Sequence, residues 1–377
     1  MDKPKRLAFL LGTRPEAVKL IPVILEARRR ANEFEVVIVS TGQHRELLDG
    51  VFEDFSVQAD VDLDLMLPSQ DPASFLTRAM DALGAELKTM QPDCVVVQGD
   101  TMTTLAGALA ASYQRIPVAH VEAGLRSFDR VNPWPEETNR CLVTQVADFH
   151  FAPTAASHRH LLNEGVPQTA CWVTGNTGID ALRIITQKHE ETASSSASRT
   201  ILLTCHRREN FGAPMESICM GILRILEACA DVNVLCPVHP NPVARAVIES
   251  KLGAHPRVKL VGPMGYAEFS RAMADCTLIL TDSGGVQEEA PSLGRPVLVL
   301  RKTTERPEAI EAGLALLVGT DTDRIFTESK RLLEDPDAYA KMARLENPFG
   351  DGKASTRILD HLHQQLDRGS QDPSSEA

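Results

Sequence analysis

Three acidic side chains in one stretch of the chain have types and spacing suited to acid–base chemistry. Asp100 comes shortly after the apolar run Cys94–Val97. Glu122 directly follows the apolar run Pro117–Val121, and Glu136 comes a short loop later, after a proline-rich turn. Carboxylates that crowd together push the pKa of one of them upward, so that one group holds a proton while another accepts one. The sequence therefore predicts proton transfer by this group of acids.

Two other roles for these acids are open at this point. Asp100 precedes Thr-Met-Thr-Thr and could cap the following helix, because a carboxylate accepts hydrogen bonds from the free N–H groups of a first turn. The acids could also be metal ligands, but the chain lacks the close Asp-x-Asp or Glu-x-x-His spacing that favours a divalent cation. We therefore expect no metal site.

A second cluster, further along the chain, is suited to binding a diphosphate. Ser283, Gly284 and Gly285 follow a buried run and begin a helix, where glycines allow an anion to approach the backbone closely. Glu289 could accept hydrogen bonds from ribose hydroxyl groups, whereas Glu288 could simply cap the helix. No GxGxxG or P-loop pattern is present, so we expect neither a nicotinamide cofactor nor ATP hydrolysis.

Cationic and imidazole side chains follow other predicted strands. Arg14 and Lys19 lie in and just after the turn Gly-Thr-Arg-Pro-Glu, which outlines an anion site at the start of a helix. His206 and His239 each end a predicted strand. The adjacent arginines Arg207 and Arg208 would disfavour a protonated imidazole at His206, which favours a neutral donor or base.

The elements that must position these residues alternate between buried apolar runs and helical patterns, which is typical of doubly wound α/β folds with parallel strands. We predict two Rossmann-like domains, with a cleft between them that the strand-end clusters could face. The predicted boundaries are 1–186 for the N-terminal domain, 187–199 for a linker, 200–366 for the C-terminal domain and 367–377 for a disordered tail. The last helices of the C-terminal domain could pack back on the N-terminal one.

Composition excludes several classes of function. At 377 residues the chain is long enough for two domains. Its net charge of -12, without a basic stripe, argues against nucleic-acid binding. No run approaches the roughly 18 apolar residues of a membrane span. Eight cysteines without a CxxC pair predict reduced thiols and a cytoplasmic location.

Several long motifs resemble one family, the non-hydrolysing UDP-N-acetylglucosamine 2-epimerases of bacteria. They occur in the order of that family, from about residue 7 to residue 360. The motifs are GTRPEAVKLIP, TGQHRELL, GDTMTT, HVEAGLRS, PWPEETNR, GNTGIDAL, HRRENFG, PVHPNP, TDSGGVQEEAPSLGRPVLVLR, TTERPEAI and NPFGDGKASTRI. The resemblance implies the two-domain glycosyltransferase-B architecture.

The resemblance also implies an activity. Members of the family interconvert UDP-GlcNAc and UDP-ManNAc without NAD or a metal, by eliminating UDP to 2-acetamidoglucal and adding it back with inversion at C2. It further implies a homodimer and a supply of ManNAc units for surface polysaccharides. The rival readings are a 2-epimerase of a related UDP-diacetamido sugar, a hydrolysing epimerase that releases ManNAc and UDP, and a glycosyltransferase of the same architecture.

By resemblance, individual residues take roles. The catalytic set is Asp100, Glu122, Glu136 and His206. The substrate-binding set is Arg14, Lys19, Phe269, Ser283, Gly284, Gly285, Glu289 and Arg306, with Phe269 near uracil. Some members bind a second UDP-GlcNAc as an activator, and the matching positions are Gln43, Arg207 and His239.

Overall fold

The computed structural model describes residues 3–43, 45–67, 70–190, 199–344 and 346–369. It divides into two compact units: the first holds the chain up to Ile184 and from Gly350 onward, and the second holds Ile185–Phe349. Most of the predicted linker (191–198) and most of the predicted tail (from 370) lie outside the described residues.

The first unit is built on a seven-stranded parallel sheet with the order β3-β2-β1-β4-β5-β6-β7. Its strands are β1 (Lys5–Leu11), β2 (Phe34–Ser40), β3 (Val61–Asp62), β4 (Cys94–Gln98), β5 (Val118–Val121), β6 (Phe149–Ala152) and β7 (Cys171–Val173). Between them run the helices α1 (Arg14–Arg29), α2 (Arg45–Phe55), α3 (Pro72–Met90), α4 (Met102–Ser112), α5 (Glu136–Val146) and α6 (Ala155–Asn163), and α7 (Thr177–Glu190) follows β7. The central strand β1 has no exposed side chain from Leu7 to Leu11, as expected where helices cover both faces of a parallel sheet.

The second unit repeats this plan with a six-stranded parallel sheet of order β10-β9-β8-β11-β12-β13. Its strands are β8 (Arg199–Thr204), β9 (Val232–Pro237), β10 (Val258–Val261), β11 (Leu278–Thr281), β12 (Val297–Val299) and β13 (Ala315–Leu317). Its helices are α8 (Ala213–Ala228), α9 (Pro242–Leu252), α10 (Tyr266–Asp275), α11 (Gly284–Glu289), α12 (Pro307–Glu311), α13 (Thr322–Glu334) and α14 (Pro336–Met342). The predicted α/β class with two Rossmann-like sheets is confirmed.

The last helix, α15 (Ala354–Gly369), belongs to the first unit and extends past the predicted limit at Leu366. It packs against α1 and buries Ile358, Leu359 and Leu362 completely. The indole of Trp172 stacks on the ring of His361, with 4.7 Å between ring centroids. The buried face of α15 therefore packs against α1 and meets the edge strand β7.

Two further findings concern the surface and the thiols. Among the described residues, no helix combines the length and the apolar character that a membrane crossing needs. All eight cysteines are free thiols, and all except the half-buried Cys141 are buried. A buried free thiol of this kind packs as a small apolar side chain.

Two buried histidines lie side by side in the first sheet. His120 of β5 pairs in register with His150 of β6. The His120 Nε2 lies 2.7 Å from the Gly99 carbonyl oxygen, and since a carbonyl only accepts, this nitrogen carries the proton. Burial lowers the pKa of His120 to about 3 and that of His150 to about 4. Both imidazoles are therefore neutral in the folded protein at pH 7.

These histidines predict a pH dependence for the first unit. In the unfolded chain each imidazole binds a proton below about pH 6.5, whereas in the folded state it stays neutral until much lower pH. The contribution of the two neutral histidines to the free energy of unfolding is therefore complete above pH 6.5. It falls toward pH 4, by about 1.4 kcal/mol per pH unit for each histidine. The two tryptophans of the chain, Trp134 and Trp172, lie in this unit, so urea unfolding followed by tryptophan fluorescence measures it. His150→Gln is expected to reduce the slope between pH 6.5 and 5, and an unchanged slope would contradict this assignment.

Candidate active site

Asp100 lies in the turn between β4 and α4, but it does not cap α4. Thr101 is the capping residue, because its side-chain oxygen accepts a hydrogen bond from Thr104 N at 3.1 Å. The capping hypothesis for Asp100 was therefore wrong. Its carboxylate instead makes a close ion pair with Arg140 of α5, and its carbonyl oxygen accepts from Asn139 Nδ2 at 2.9 Å. Helix α5 thus fixes both the backbone and the side chain of Asp100.

Glu122 follows β5 directly and adopts a left-handed backbone conformation with φ of +63°. Such a conformation costs a residue other than glycine about 1–3 kcal/mol and persists only where the surroundings hold it. Here the carboxylate is held by close contacts with Lys19 of α1 and with Gln98 at the end of β4. The structure thus brings two predicted site residues, Lys19 and Glu122, into direct contact.

The acidic pair at the start of α5 divides into two roles. Glu137 is 2% exposed, accepts hydrogen bonds from Ser127 N at 2.9 Å and Phe128 N at 3.1 Å, and contacts Arg140 at 3.2 Å. It therefore anchors the loop that precedes α5. Glu136 is half-buried, and within the part of the chain that the structure describes its Oε2 atom is buried without a hydrogen-bond partner. Of the two, Glu136 has an oxygen available for chemistry.

Glu16, which the sequence did not single out, ties two strand-end turns of the first unit together. It is fully buried, and its Oε2 accepts hydrogen bonds from Gly12 N at 3.0 Å and Thr13 N at 2.8 Å. Its Oε1 accepts from Thr101 Oγ1 at 2.6 Å. Burial raises the pKa of Glu16, and these hydrogen bonds oppose that rise. One side chain thus fixes the turn that carries Arg14 and the turn that carries Asp100.

Two other predicted residues of the first unit lie near these turns. Arg14 is the first residue of α1 and is half-buried. Gln43 follows β2, and its side-chain oxygen accepts from Thr103 Oγ1 at 3.4 Å. Thr103 also bonds Thr41 Oγ1 at 2.8 Å, which links the end of β2 to α4.

In the second unit, two guanidinium groups lie beside the predicted diphosphate site. The position that a β-carbon would take at Gly284 is 3.7 Å from Arg306 Nη2 and 3.9 Å from Arg207 Nη2. Arg306 also makes a close ion pair with Glu288. Glu288 therefore holds a predicted substrate-binding arginine, and this contact replaces the capping role considered for it. An anion at the glycines of this turn would lie beside two guanidinium groups, one of which is already paired with Glu288.

The remaining predicted residues of this unit lie on α10, on α11 or just before α11. Ser283 precedes α11, its N–H donates to Thr281 Oγ1 at 3.0 Å, and its carbonyl oxygen accepts from Gln287 Nε2 at 3.0 Å. Gln287 also accepts from Thr304 Oγ1 at 2.6 Å, which ties down the loop before Arg306. Glu289 ends α11 and Phe269 lies on α10, and both are half-buried.

His206 lies after β8, and the charged group that contacts its ring is a carboxylate. Its Nδ1 is 3.0 Å from Oδ1 of Asp282, a residue with no exposed surface. The neighbouring arginine Arg207 meets the same carboxylate through its main-chain N–H at 2.9 Å. The ring of His206 stacks on that of His239, with 5.9 Å between centroids. The sequence-based argument for a neutral imidazole considered only the adjacent arginines and left out the carboxylate of Asp282.

The large cavity in the first unit does not coincide with these residues. It has a volume of about 850 Å³, lies next to α2, and is lined by acidic residues such as Asp49, Glu53 and Asp60. None of the predicted site residues lines it. Within the described ranges, no group of three or more His, Cys, Asp or Glu side chains is arranged to hold a metal ion.

Comparison with known proteins identifies the family. A family model described as UDP-N-acetylglucosamine 2-epimerase matches residues 26–363. The chain belongs to this epimerase family. The UDP-N-acetylglucosamine 2-epimerase of Bacillus subtilis is 46% identical to it over 96% of this chain and 95% of the relative. The resemblance of the motifs to this family is confirmed.

Solved structures of family members share the fold. A Neisseria meningitidis UDP-GlcNAc 2-epimerase bound to UDP-GlcNAc is 44% identical, with a TM-score of 0.84, over 95% of this chain and 100% of that one. The Methanocaldococcus jannaschii enzyme in complex with UDP-GlcNAc and UDP is 36% identical, with a TM-score of 0.76, over 95% of this chain and 99% of that one. These epimerases therefore match the chain along nearly its whole length.

Sequence reasoning missed the groups that hold the predicted residues in place. For Arg140 a signal exists, because it lies four positions after Glu136 and hence on the same face of α5. For Asp282 the signal is its place between a buried strand and the glycine pair. The sequence gives a weaker signal for Glu16, because the helix dipole also favours a glutamate in the first turn of a helix.

Glu16 supports a prediction about stability. Glu16→Ala leaves the N–H groups of Gly12 and Thr13 buried without an acceptor, and each such group costs about 1–3 kcal/mol. We therefore expect this variant to lower the free energy of unfolding of the first unit by about 2–4 kcal/mol, as measured by tryptophan fluorescence in urea. The control is Glu53→Ala on the exposed side of α2, which is expected to change it by less than about 0.5 kcal/mol. Equal effects of the two substitutions would refute the role given to Glu16.

Proposed function

We propose that this protein catalyses the reversible C2 epimerisation of UDP-GlcNAc to UDP-ManNAc without hydrolysing it. One observation carries the proposal: Asp100, Glu122 and Glu136, the residues that match the carboxylates of the family, all lie at the carboxyl end of one parallel sheet. Two of them are paired with cations, Asp100 with Arg140 and Glu122 with Lys19. Each of these two carboxylates therefore lies beside a cation, and an ionised carboxylate can accept a proton.

The proposed reaction uses acid–base chemistry alone. A carboxylate takes the proton from C2 of the sugar, the electrons of that bond form the C1=C2 double bond, and the bond from C1 to the diphosphate oxygen breaks. UDP leaves with the electron pair of the broken C1–O bond, and the sugar becomes 2-acetamidoglucal. In the return step UDP adds to C1 and a proton reaches C2 from the opposite face. No net oxidation occurs, so the reaction needs no redox cofactor.

Residues of the second unit are proposed to bind the nucleotide. Arg306 and the backbone at Ser283, Gly284 and Gly285 would contact the diphosphate, and its negative charge grows as UDP departs, which makes electrostatic stabilisation most valuable there. Glu289 would accept from the ribose hydroxyl groups.

The other proposed contacts extend these roles. Phe269 would pack near uracil, His206 would act on the reacting groups, and Arg14 would contact the nucleotide sugar. Gln43, Arg207 and His239 would contribute to activation by a further UDP-GlcNAc molecule.

We also propose that the protein is a cytoplasmic homodimer. Reduced buried thiols support a cytoplasmic location, and the resemblance to the family supports the dimer. Light scattering coupled to size-exclusion chromatography distinguishes a dimer from a 41.2 kDa monomer.

Deuterium incorporation tests the proposed reaction. The protein is incubated with UDP-GlcNAc in deuterated water, and the sugar is followed by NMR. We expect deuterium at C2 and the appearance of UDP-ManNAc, because the proton removed from C2 exchanges with solvent. Free ManNAc and UDP would indicate a hydrolysing epimerase. An unlabelled C2 would reject the proposed reaction on this substrate, and the same assay then tests a UDP-diacetamido sugar or, with an acceptor, sugar transfer.

Asp100 provides the matched mutational test. Asp100→Asn keeps the shape of the side chain but removes its ability to accept a proton, and we expect kcat to fall by about 10²–10⁴-fold. The control Asp81→Asn, on the exposed face of α3, is expected to keep the wild-type kcat. Circular dichroism and the urea midpoint establish that both variants are folded. Wild-type turnover by Asp100→Asn would remove Asp100 from the catalytic set.

A further inference from the structure

The carboxylate of Asp282 is the feature of the second unit that the proposed function does not explain. It lies directly after β11, has no exposed surface, and faces the loop that follows β8. Its two oxygen atoms share the main-chain N–H of His206 and differ in their other neighbours. Oδ2 accepts from the main-chain N–H of His206 and of Arg207, both at 2.9 Å, and from Asn210 Nδ2 at 2.9 Å. Oδ1 is 3.0 Å from His206 Nδ1 and 3.1 Å from His206 N.

Several hydrogen-bond donors surround the carboxylate of Asp282 and stabilise its ionised form. Burial alone would raise the pKa of this carboxyl, but the hydrogen bonds from His206, Arg207 and Asn210, together with the charge of His206, hold it below its usual value. An ionised carboxylate only accepts hydrogen bonds, so the ring nitrogen that faces it must carry a proton. The Nδ1 atom of His206 is therefore protonated.

We infer that Asp282 is a positioning residue that fixes the ring orientation and the tautomer of His206, so that Nε2 is the atom available to the substrate. The inference rests on the proposed role of His206 in the reaction. With Nδ1–H directed at Asp282, the neutral ring presents a bare Nε2, which accepts a proton or a hydrogen bond, and the protonated ring presents Nε2–H as a donor. In both protonation states of the ring, Nε2 is the atom that shares a proton or a hydrogen bond with the substrate.

The other groups near the ring do not compete for this arrangement. The stacked ring of His239 accepts a hydrogen bond at its own Nδ1 from Asn241 N at 3.1 Å, which places the proton of the neutral His239 on Nε2. Arg207 contacts Asp282 through its backbone N–H, and Arg208 begins the short helical turn that follows. Among the contacts described for the second unit, Oδ1 of Asp282 is the acceptor at His206 Nδ1.

Only Oδ1 of Asp282 contacts the ring of His206, so a substitution that changes the atom at this position tests that contact. In Asp282→Asn the amide oxygen can take the place of Oδ2 and still accept from the two backbone N–H groups and from Asn210. The amide NH₂ then takes the place of Oδ1 and donates to Nδ1 of His206, while His206 N keeps its shorter contact, at 2.9 Å, with the oxygen in the place of Oδ2. The ring must place its proton on Nε2, which is the wrong tautomer for a base at that atom. The fold is preserved while the polarity of one hydrogen bond is reversed.

The first measurement needs neither substrate nor variant activity. Long-range ¹H–¹⁵N spectra of the full chain labelled with [¹⁵N]histidine report the tautomer of each ring, and His206→Gln assigns the signal. We expect the Nδ1–H form for His206 in the wild type and the Nε2–H form in Asp282→Asn. An Nε2–H tautomer in the wild type overturns the inference, whether or not the epimerase assay succeeds.

The second measurement is kinetic. We expect Asp282→Asn to lower kcat for UDP-GlcNAc by about 100-fold or more and to change the pH profile of kcat, because the tautomer of His206 is reversed. Asn210→Ala removes one donor to Oδ2 without touching the contact between Oδ1 and the ring, so it is expected to keep the tautomer and most of kcat. Asp337→Asn, at an exposed position of α14, is the surface control.

The outcomes separate the two proposals. A wild-type kcat and pH profile in folded Asp282→Asn would overturn the positioning role of Asp282. Failure of wild-type protein to label C2 would overturn the proposed reaction, while the tautomer of His206 would still test the contact with Asp282.

Discussion

Main-chain N–H groups at the carboxyl ends of parallel strands need acceptors, and buried carboxylates supply them in three loops of this protein. Glu16 binds the backbone after β1, Glu137 binds the loop before α5, and Asp282 binds the backbone after β8. Each of these carboxylates accepts from two consecutive N–H groups. A buried carboxylate that receives such hydrogen bonds is stable, whereas an unpaired one would be expensive to bury. The conformations of the strand-end loops depend on these three side chains.

A consequence of this arrangement is that the side chains proposed for chemistry are held by others. Asp100 is fixed by Arg140, and Arg140 is itself in contact with Glu137, which anchors the neighbouring loop. Glu122 is held by Lys19 and Gln98 in a backbone conformation that is unfavourable by itself. Restraint of this kind places reacting groups before the substrate arrives, and electrostatic catalysis depends on such preorganisation.

Much of the fold could be predicted from the sequence because most of its signals are local. The run Leu7–Leu11 predicts a strand, and β1 is found at Lys5–Leu11; the pattern Ser74–Met90 predicts a helix, and α3 is found at Pro72–Met90. The sequence does not predict strands β3 and β13, because they are very short edge strands that only pairing with a neighbour defines.

The sequence by itself determined the α/β class, the family and the residue types at the strand ends, since buried runs, glycine turns and long motifs are encoded within short segments. Tertiary structure decided which partner each of those residues has. The sequence leaves a capping role open for Asp100, whereas the fold gives that role to Thr101 and pairs Asp100 with Arg140 of a different helix. From the sequence, the charged residue beside the His206 ring is Arg207. In the fold, β11 pairs with β8 and brings the carboxylate of Asp282 to the ring. Ion pairs and hydrogen bonds act over a few ångströms in space, and the pairing of distant strands sets those distances.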